Sequence, residues 1–222
     1  MYVQNNENAK GNPVKLYYSP AAGALASHIT VRELGLDVDL IRVDLPPAGA
    51  HTTETGEDYF QINPRGYVPY LKIDADAALS EGAAILQYLA DQRPEASMSP
   101  REGTPERYQL QSWLTFVGTE LQRILTSFFI PDHLSESGLA FAKAKLNQRL
   151  EILDAHLTGR DYLLGATYTI ADAYAFAILN WIPAFKLDVD LGKYENVALY
   201  LETIRSREAV QIAMKEEGLF DE

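Results

Sequence analysis

Residues 14–43, VKLYYSPAAGALASHITVRELGLDVDLIRV, carry the reading of the fold. Val14 to Tyr18 reads as a strand that stops at Ser19-Pro20. Ala24 to Leu34 has helical composition, and Gly35 supplies the C-terminal stop. Val38 to Val43 then alternates apolar and polar residues, the period of a second strand. A strand, a helix and a strand in this order require a right-handed crossover with the two strands parallel.

Further along, residues 46–56 (PPAGAHTTETG) read as a loop and Glu57 to Ile62 as a short helix before Asn63-Pro64. Val68 to Ile73 and Ala77 to Leu79 form a hairpin about the turn Asp74-Ala75-Asp76. Glu81 to Asp91 reads as a helix with Ile85, Leu86 and Leu89 on one face. The sum is an α/β layer, a four-stranded mixed sheet with helices on both faces. Residues 93–101, RPEASMSPR, hold two prolines and two serines and mark a linker. After it the pattern is helical: Tyr108 to Leu125, Leu139 to Leu157, Ile170 to Ile182 and Val197 to Ile204. Leu146, Leu150, Leu153 and Leu157 make an apolar stripe at helical spacing. The expected organisation is a flexible extension over 1–13, an α/β domain over 14–92, the linker, and an all-helical domain over 102–222.

Composition limits the function classes. Of 222 residues, 47% are hydrophobic and 23% charged, as in ordinary globular chains. Lys plus Arg number 19 against 31 Asp plus Glu, a net charge of −12 with no basic stripe. That balance opposes nucleic acid and anionic membrane surfaces as partners. A small anionic ligand stays open, because local donors outweigh distant, screened charge. The polar start does not read as a secretory signal. The longest apolar run, Ile170 to Ile182, is too short to span a bilayer. With no cysteine, the chain has no disulfide, no cysteine-ligated metal and no cysteine nucleophile of its own. A cytoplasmic location is expected. His28, His51, His133 and His156 lack metal-ligand spacing, so no metal is expected. Neither a phosphate-binding glycine loop nor a GxSxG elbow is present.

Four stretches are candidates for chemistry. In Tyr18 to Ala24 a strand ends and a helix begins, and free N–H groups at a helix start make an anion site; equally, Tyr18 is a core aromatic and the small residues allow close packing. In Arg65 to Leu71, Pro69 opens a strand, and the Val68–Pro69 bond is open to either isomer. Glu81-Gly82 opens a helix, where Glu81 either complements the helix dipole or pairs with a ligand ammonium. Thr169 and Asp172 precede an apolar run as a capping box, a structural device.

These motifs, in this order, resemble the cytosolic glutathione S-transferases, and the bacterial beta class in particular. The resemblance rests on KLYYSP, ALASHITVREL, DYFQINPRGYVPYL, LSEGAAILQYLAD, TELQ, TIADAYAF and the closing EGL, and it runs from about Val14 to Leu219. It implies a thioredoxin-like N-terminal domain, a helical C-terminal domain, a homodimer, a detoxification role, glutathione as cosubstrate, and a cis Val68–Pro69 bond. It places glutathione against Val68, Pro69, Glu81 and Gly82, with Thr115, Thr119, Glu120 and Gln122 lining the site from the helical domain. The chain departs from the class where the catalytic cysteine is Gly23, the serine after it Ala24, and the helical-domain histidine Gln122. The loop lysine falls on Ala48.

A cysteine-free chain cannot form a mixed disulfide with glutathione, so the reactive sulfur is the ligand's. A thiol of pKa near 8.5 is only about 3% thiolate at pH 7, and lowering it by two units takes about 2.7 kcal/mol. One hydrogen bond to the anion, worth about 1.5–3 kcal/mol, together with a helix start is sufficient. The sequence reading assigns this to the Tyr18 hydroxyl with the Gly23 and Ala24 N–H groups. It places a hydrophobic electrophile among Tyr17, Trp113 and Phe116, with Trp181 and Gln122 near, for conjugation, ether or thioether cleavage, or dehalogenation. The rival reading is a dimer that binds glutathione or an apolar ligand without turnover.

Overall fold

A computed structural model describes residues 13–46, 49–129 and 134–220. The expected extension, Pro13 apart, lies outside the described residues, as do Ala48 and His133. Five strands, β1 (Lys15–Tyr18), β2 (Asp39–Asp44), β3 (Thr52–Thr53), β4 (Tyr70–Lys72) and β5 (Ala78–Ser80), form one sheet in the order β3-β2-β1-β4-β5. β1 and β2 run parallel, as the crossover demands, and the other neighbours are antiparallel. Leu16 sits opposite Leu40 on one side and Leu71 on the other. The sheet has five strands where the sequence reading gives four. The extra one, β3, is a two-residue edge pairing (Val43 with Thr53, Asp44 with Thr52) inside the stretch read as loop. Two residues are too few for alternation to register.

The pleat sorts β1 between two cores. Leu16 and Leu71 face α1 (Leu25–Glu33) and α3 (Gly82–Asp91) and join the main core. Tyr17 faces the other way, onto Val43 and Tyr59 of α2 (Tyr59–Ile62). Helices thus cover both faces of a thioredoxin-like sheet.

In the helical domain, α4 (Pro105–Phe116) starts at a Thr104 cap whose hydroxyl accepts from the Arg107 N–H at 3.3 Å. It passes through a π-helical turn, Val117–Gln122, into α5 (Arg123–Thr126), where the sequence pattern reads one helix. α6 (Glu136–Leu157) buries the leucine stripe, and α7 (Ile170–Leu179) is buried along its whole length. α8 (Trp181–Ala184) continues the same run. Pro183 has no N–H to offer the carbonyl four residues back, and the run ends one residue later. α9 (Glu195–Arg205) and α10 (Glu208–Glu216) follow. The sequence pattern does not announce α10, which starts after Arg207 with no side-chain cap.

Among the links between the halves are two near the linker. The Met98 carbonyl accepts from the Ile170 N–H at 3.0 Å, and Arg107 grips Asp91 with both terminal nitrogens at 2.9 and 3.0 Å. Thr169 and Asp172 form the expected capping box. The Asp172 carboxylate is fully buried and accepts four bonds, from the Leu163 N–H (2.8 Å), the Thr169 N–H (2.8 Å), the Thr169 hydroxyl (2.9 Å) and the Tyr200 hydroxyl (3.0 Å). Burial pushes its pKa up, and these donors oppose that push. Asp172→Ala removes the cap and strands buried donors. Loss of a cap costs about 1 kcal/mol and each orphaned donor about 1–3. Urea unfolding of Asp172→Ala is expected to show a loss of about 2–4 kcal/mol; a stability equal to wild type contradicts the anchoring role.

Candidate active site

The loop from β1 into α1 is fixed at both sides of Ala21, whose φ of 58° is costly for a side-chain-bearing residue. Its N–H donates to Glu217 Oε2 at 3.0 Å, and its carbonyl accepts from Trp181 Nε1 at 2.7 Å. His28, fully buried on α1, is a satisfied core histidine: Nδ1 meets Glu217 Oε1 at 2.9 Å and Nε2 meets Glu216 Oε2 at 2.7 Å. Gly23 then brings the backbone against the helical domain. A Cβ there would stand 3.2 Å from Gln122 Nε2 and 3.5 Å from Ile178 Cδ1.

A second loop, Asn63 to Pro69, faces it. The Tyr67 carbonyl accepts from Asn63 Nδ2 at 2.8 Å and from the Tyr59 hydroxyl at 2.9 Å, and Asn63 Oδ1 accepts from the Arg65 N–H at 3.2 Å. Gly66, at φ 68°, turns where a Cβ would lie 2.5 Å from the Phe60 ring. The chain arrives at the Val68–Pro69 bond, which is cis. Next to it Glu81, at φ 70°, turns the chain from β5 into α3, and its carboxylate meets Arg65 Nη1 at 3.1 Å.

These pieces enclose a cleft of about 220 Å³. Of the residues singled out in the sequence, Gly23, Val68, Pro69, Glu81, Gly82 and Gln122 line it. Asn63, Arg65, Tyr67, Ser80 and Tyr174 line it too; sequence reasoning gave none of them a role, although Arg65 and Tyr67 lie in a stretch it marked and Ser80 borders another. Tyr174 lies two residues past Asp172 on a helix that reads as core throughout, so only its lone hydroxyl among apolar neighbours marks it. Burial, reinforced by the Glu81 charge, pushes the Tyr174 pKa up to about 12. The hydroxyl therefore stays protonated, and it donates to Gln122 Oε1.

Other predicted residues lie elsewhere. Tyr18 is not in the lining; its ring sits 5.5 Å from that of His28, and burial, then Glu217, raises its pKa. Ala24 is fully buried at the start of α1. The exposed Thr115 and Thr119 turn their hydroxyls back to the Gln111 and Thr115 carbonyls at 2.8 and 2.9 Å. Glu120 is taken by Arg149 Nε at 2.7 Å. Tyr17 packs on the far side of the sheet, 5.7 Å from the Tyr59 ring and 6.0 Å from that of Tyr70. Trp113 and Phe116 pack on each other, with Trp113 4.5 Å from His156 of α6. Aromatic composition singled these three out, and helix and strand phase turns them away from the cleft. A larger groove of about 970 Å³ runs along the linker, but of the predicted site residues only Thr169 lines it, and its side chain is held by Asp172.

Two family descriptions match, "Glutathione S-transferase, N-terminal domain" over residues 24–92 and "Glutathione S-transferase, C-terminal domain" over 116–208. Glutathione S-transferase GstA of Escherichia coli O157:H7 is 39% identical over 206 residues, covering 93% of this chain and all of the relative. The chain belongs to the glutathione S-transferase family. A sphingomonad glutathione S-transferase solved in complex with glutathione superposes with a TM-score of 0.85 at 38% identity, over 93% of this chain and all of that one. The bacterial beta class glutathione S-transferase of Sphingomonas chungbukensis gives the same values. Relatives so named support a glutathione transferase enzyme. Among the described residues no cluster of three or more His, Cys, Asp or Glu could hold a metal ion, and no helix is long and apolar enough to cross a membrane.

Asn63 is the buried pin of the Val68–Pro69 corner. Asn63→Ala is expected to lower stability in denaturant titration by about 1–3 kcal/mol, through the lost bonds to the Tyr67 carbonyl and Arg65 N–H. An unchanged midpoint contradicts that role.

Proposed function

We propose that the cleft binds glutathione and that the bound thiolate attacks a hydrophobic electrophile. The observation that carries this is the meeting, in one cleft, of the Val68–Pro69 corner, the Glu81–Gly82 helix start and the Gly23 approach. Each suits one part of the tripeptide. The backbone of Val68 pairs with the cysteinyl residue as one more extended strand would. The first N–H groups of α3, opening at Gly82, take the γ-glutamyl carboxylate, and Glu81 its ammonium. The sulfur is then directed to Gly23 and the start of α1. A glutathione complex of a relative with 38% identity supports the assignment.

The chemistry follows from the missing cysteine. The glutathione thiol gives its proton to water, and the thiolate pair forms a carbon–sulfur bond while the leaving group departs with the electrons of the bond it breaks. The protein binds, orients and stabilises the anion, and its own residues stay covalently unchanged. An apolar face for the electrophile lies beside the β1–α1 loop, where the ring of Phe129 stacks edgewise on those of Trp181 (5.3 Å) and Phe185 (4.9 Å). This aromatic set replaces Tyr17, Trp113 and Phe116 in the proposal. The same reading carries domain limits of 14–92 and 102–222 and a homodimer, which light scattering would show as twice the chain mass.

Calorimetry with glutathione and turnover of chlorodinitrobenzene test the reading together. Wild type is expected to bind and to conjugate. Glu81→Ala is expected to weaken glutathione by about 10–100-fold, the worth of a charge-assisted bond. Absence of specific binding by wild type overturns the proposal.

A further inference from the structure

With glycine at position 23, the first helix presents no side chain to the cleft. The amide of Gln122 stands in that space, its Nε2 3.2 Å from the point a Gly23 Cβ would occupy. The other end of the amide is taken, since Tyr174 donates to Oε1. Tyr174 is itself fixed on the buried α7, close to Gly82 and Gly118: an added Cβ would meet its hydroxyl oxygen at 3.7 and 3.3 Å. In the structure Tyr174 donates to the amide oxygen, and the NH₂ end, a pure donor, faces Gly23. The charges around it are already engaged with one another: Arg65 with Glu81 at 3.1 Å, and Glu120 of the same π-helical turn with Arg149.

We propose that Gln122 Nε2 donates a hydrogen bond to the thiolate of bound glutathione, and that Tyr174 is the positioning residue that turns the amide toward it. The role rests on the glutathione reading above and goes beyond it, because it moves the side-chain donor from the strand-end Tyr18 to the helical domain. Gln122 transfers no proton. The thiol proton leaves to water, and the amide N–H stabilises the anion left behind.

The test is the pKa of the bound thiol, read from thiolate ultraviolet absorbance with the protein saturated by glutathione, beside affinity by calorimetry. Gln122→Leu is expected to raise that pKa by about one pH unit, a tenfold change in the ionisation constant, as expected for losing one bond to a charged group. Near-isosteric Gln122→Glu, which turns an acceptor to the sulfur, is expected to raise it further. Tyr174→Phe frees the amide and is expected to lower kcat with the KM for glutathione held within about twofold. Gly23→Ala is an independent arm: its methyl displaces Nε2 and is expected to raise the pKa with Gln122 intact. An unchanged bound-thiol pKa in Gln122→Leu and Gln122→Glu, with glutathione still bound, overturns the Gln122 role and leaves the transferase reading standing. Failure of wild type to bind glutathione overturns both.

Discussion

A single buried carboxylate organises this molecule. Asp172 receives four donors, three from the segment before α7 (Leu163 and the Thr169 cap) and one from Tyr200 of α9. An ion so deep is tolerated only when its lone pairs are filled, and filling them fixes the chain around it. α7 packs against α1, α3, α4, α9 and the π-helical turn. The site inherits that rigidity, because α7 carries Tyr174 to the cleft and Ile178 to the back of Gly23, and the next helix brings Trp181 to the Ala21 carbonyl.

The cleft lies in a chain of net charge −12, yet the proposed ligand is an anion. The cleft's means are short-range: two helix starts, oriented amides, and a salt bridge that leaves its own carboxylate beside them. Distant charge is screened over about 8–10 Å at ordinary ionic strength, while a donor at contact is not. Overall acidity is therefore compatible with thiolate chemistry. Losing the cysteine of the related class takes away one route, protein–glutathione disulfide formation, and leaves a room into which an amide of the helical domain reaches.

Much of the fold is legible in the sequence because it is periodic. Leu146, Leu150, Leu153 and Leu157 point one way, and all are buried. Thr169 and Asp172 announce their helix start through spacing alone. Features carried by few residues are harder to read. β3 has two residues, and α10 begins without a cap. For the site, local punctuation marks the turns at Pro69 and Glu81-Gly82, and it is the family resemblance that joins Val68, Pro69, Glu81 and Gly82 into one site. The aromatics are not so marked, because Tyr17 and Tyr18 are adjacent letters that point to opposite faces of one strand, and neither lines the cleft. Tyr174 looks like core because it is buried within the core; its partner Gln122 is 52 residues away and no local pattern joins them.

The brace on Ala21 has a bearing on how the chain is made. The loop at residues 19–24 is synthesised well before the groups that fix it: the carboxylate is 196 residues later and the indole 160. Contacts of such separation form late, after loop closure over most of the chain. The sheet can pair and its core can collapse during synthesis, but the strained Ala21 turn has no hold until α8 and α10 have been translated and packed. The brace on this side of the cleft is thus complete only once those distant elements have been made and packed.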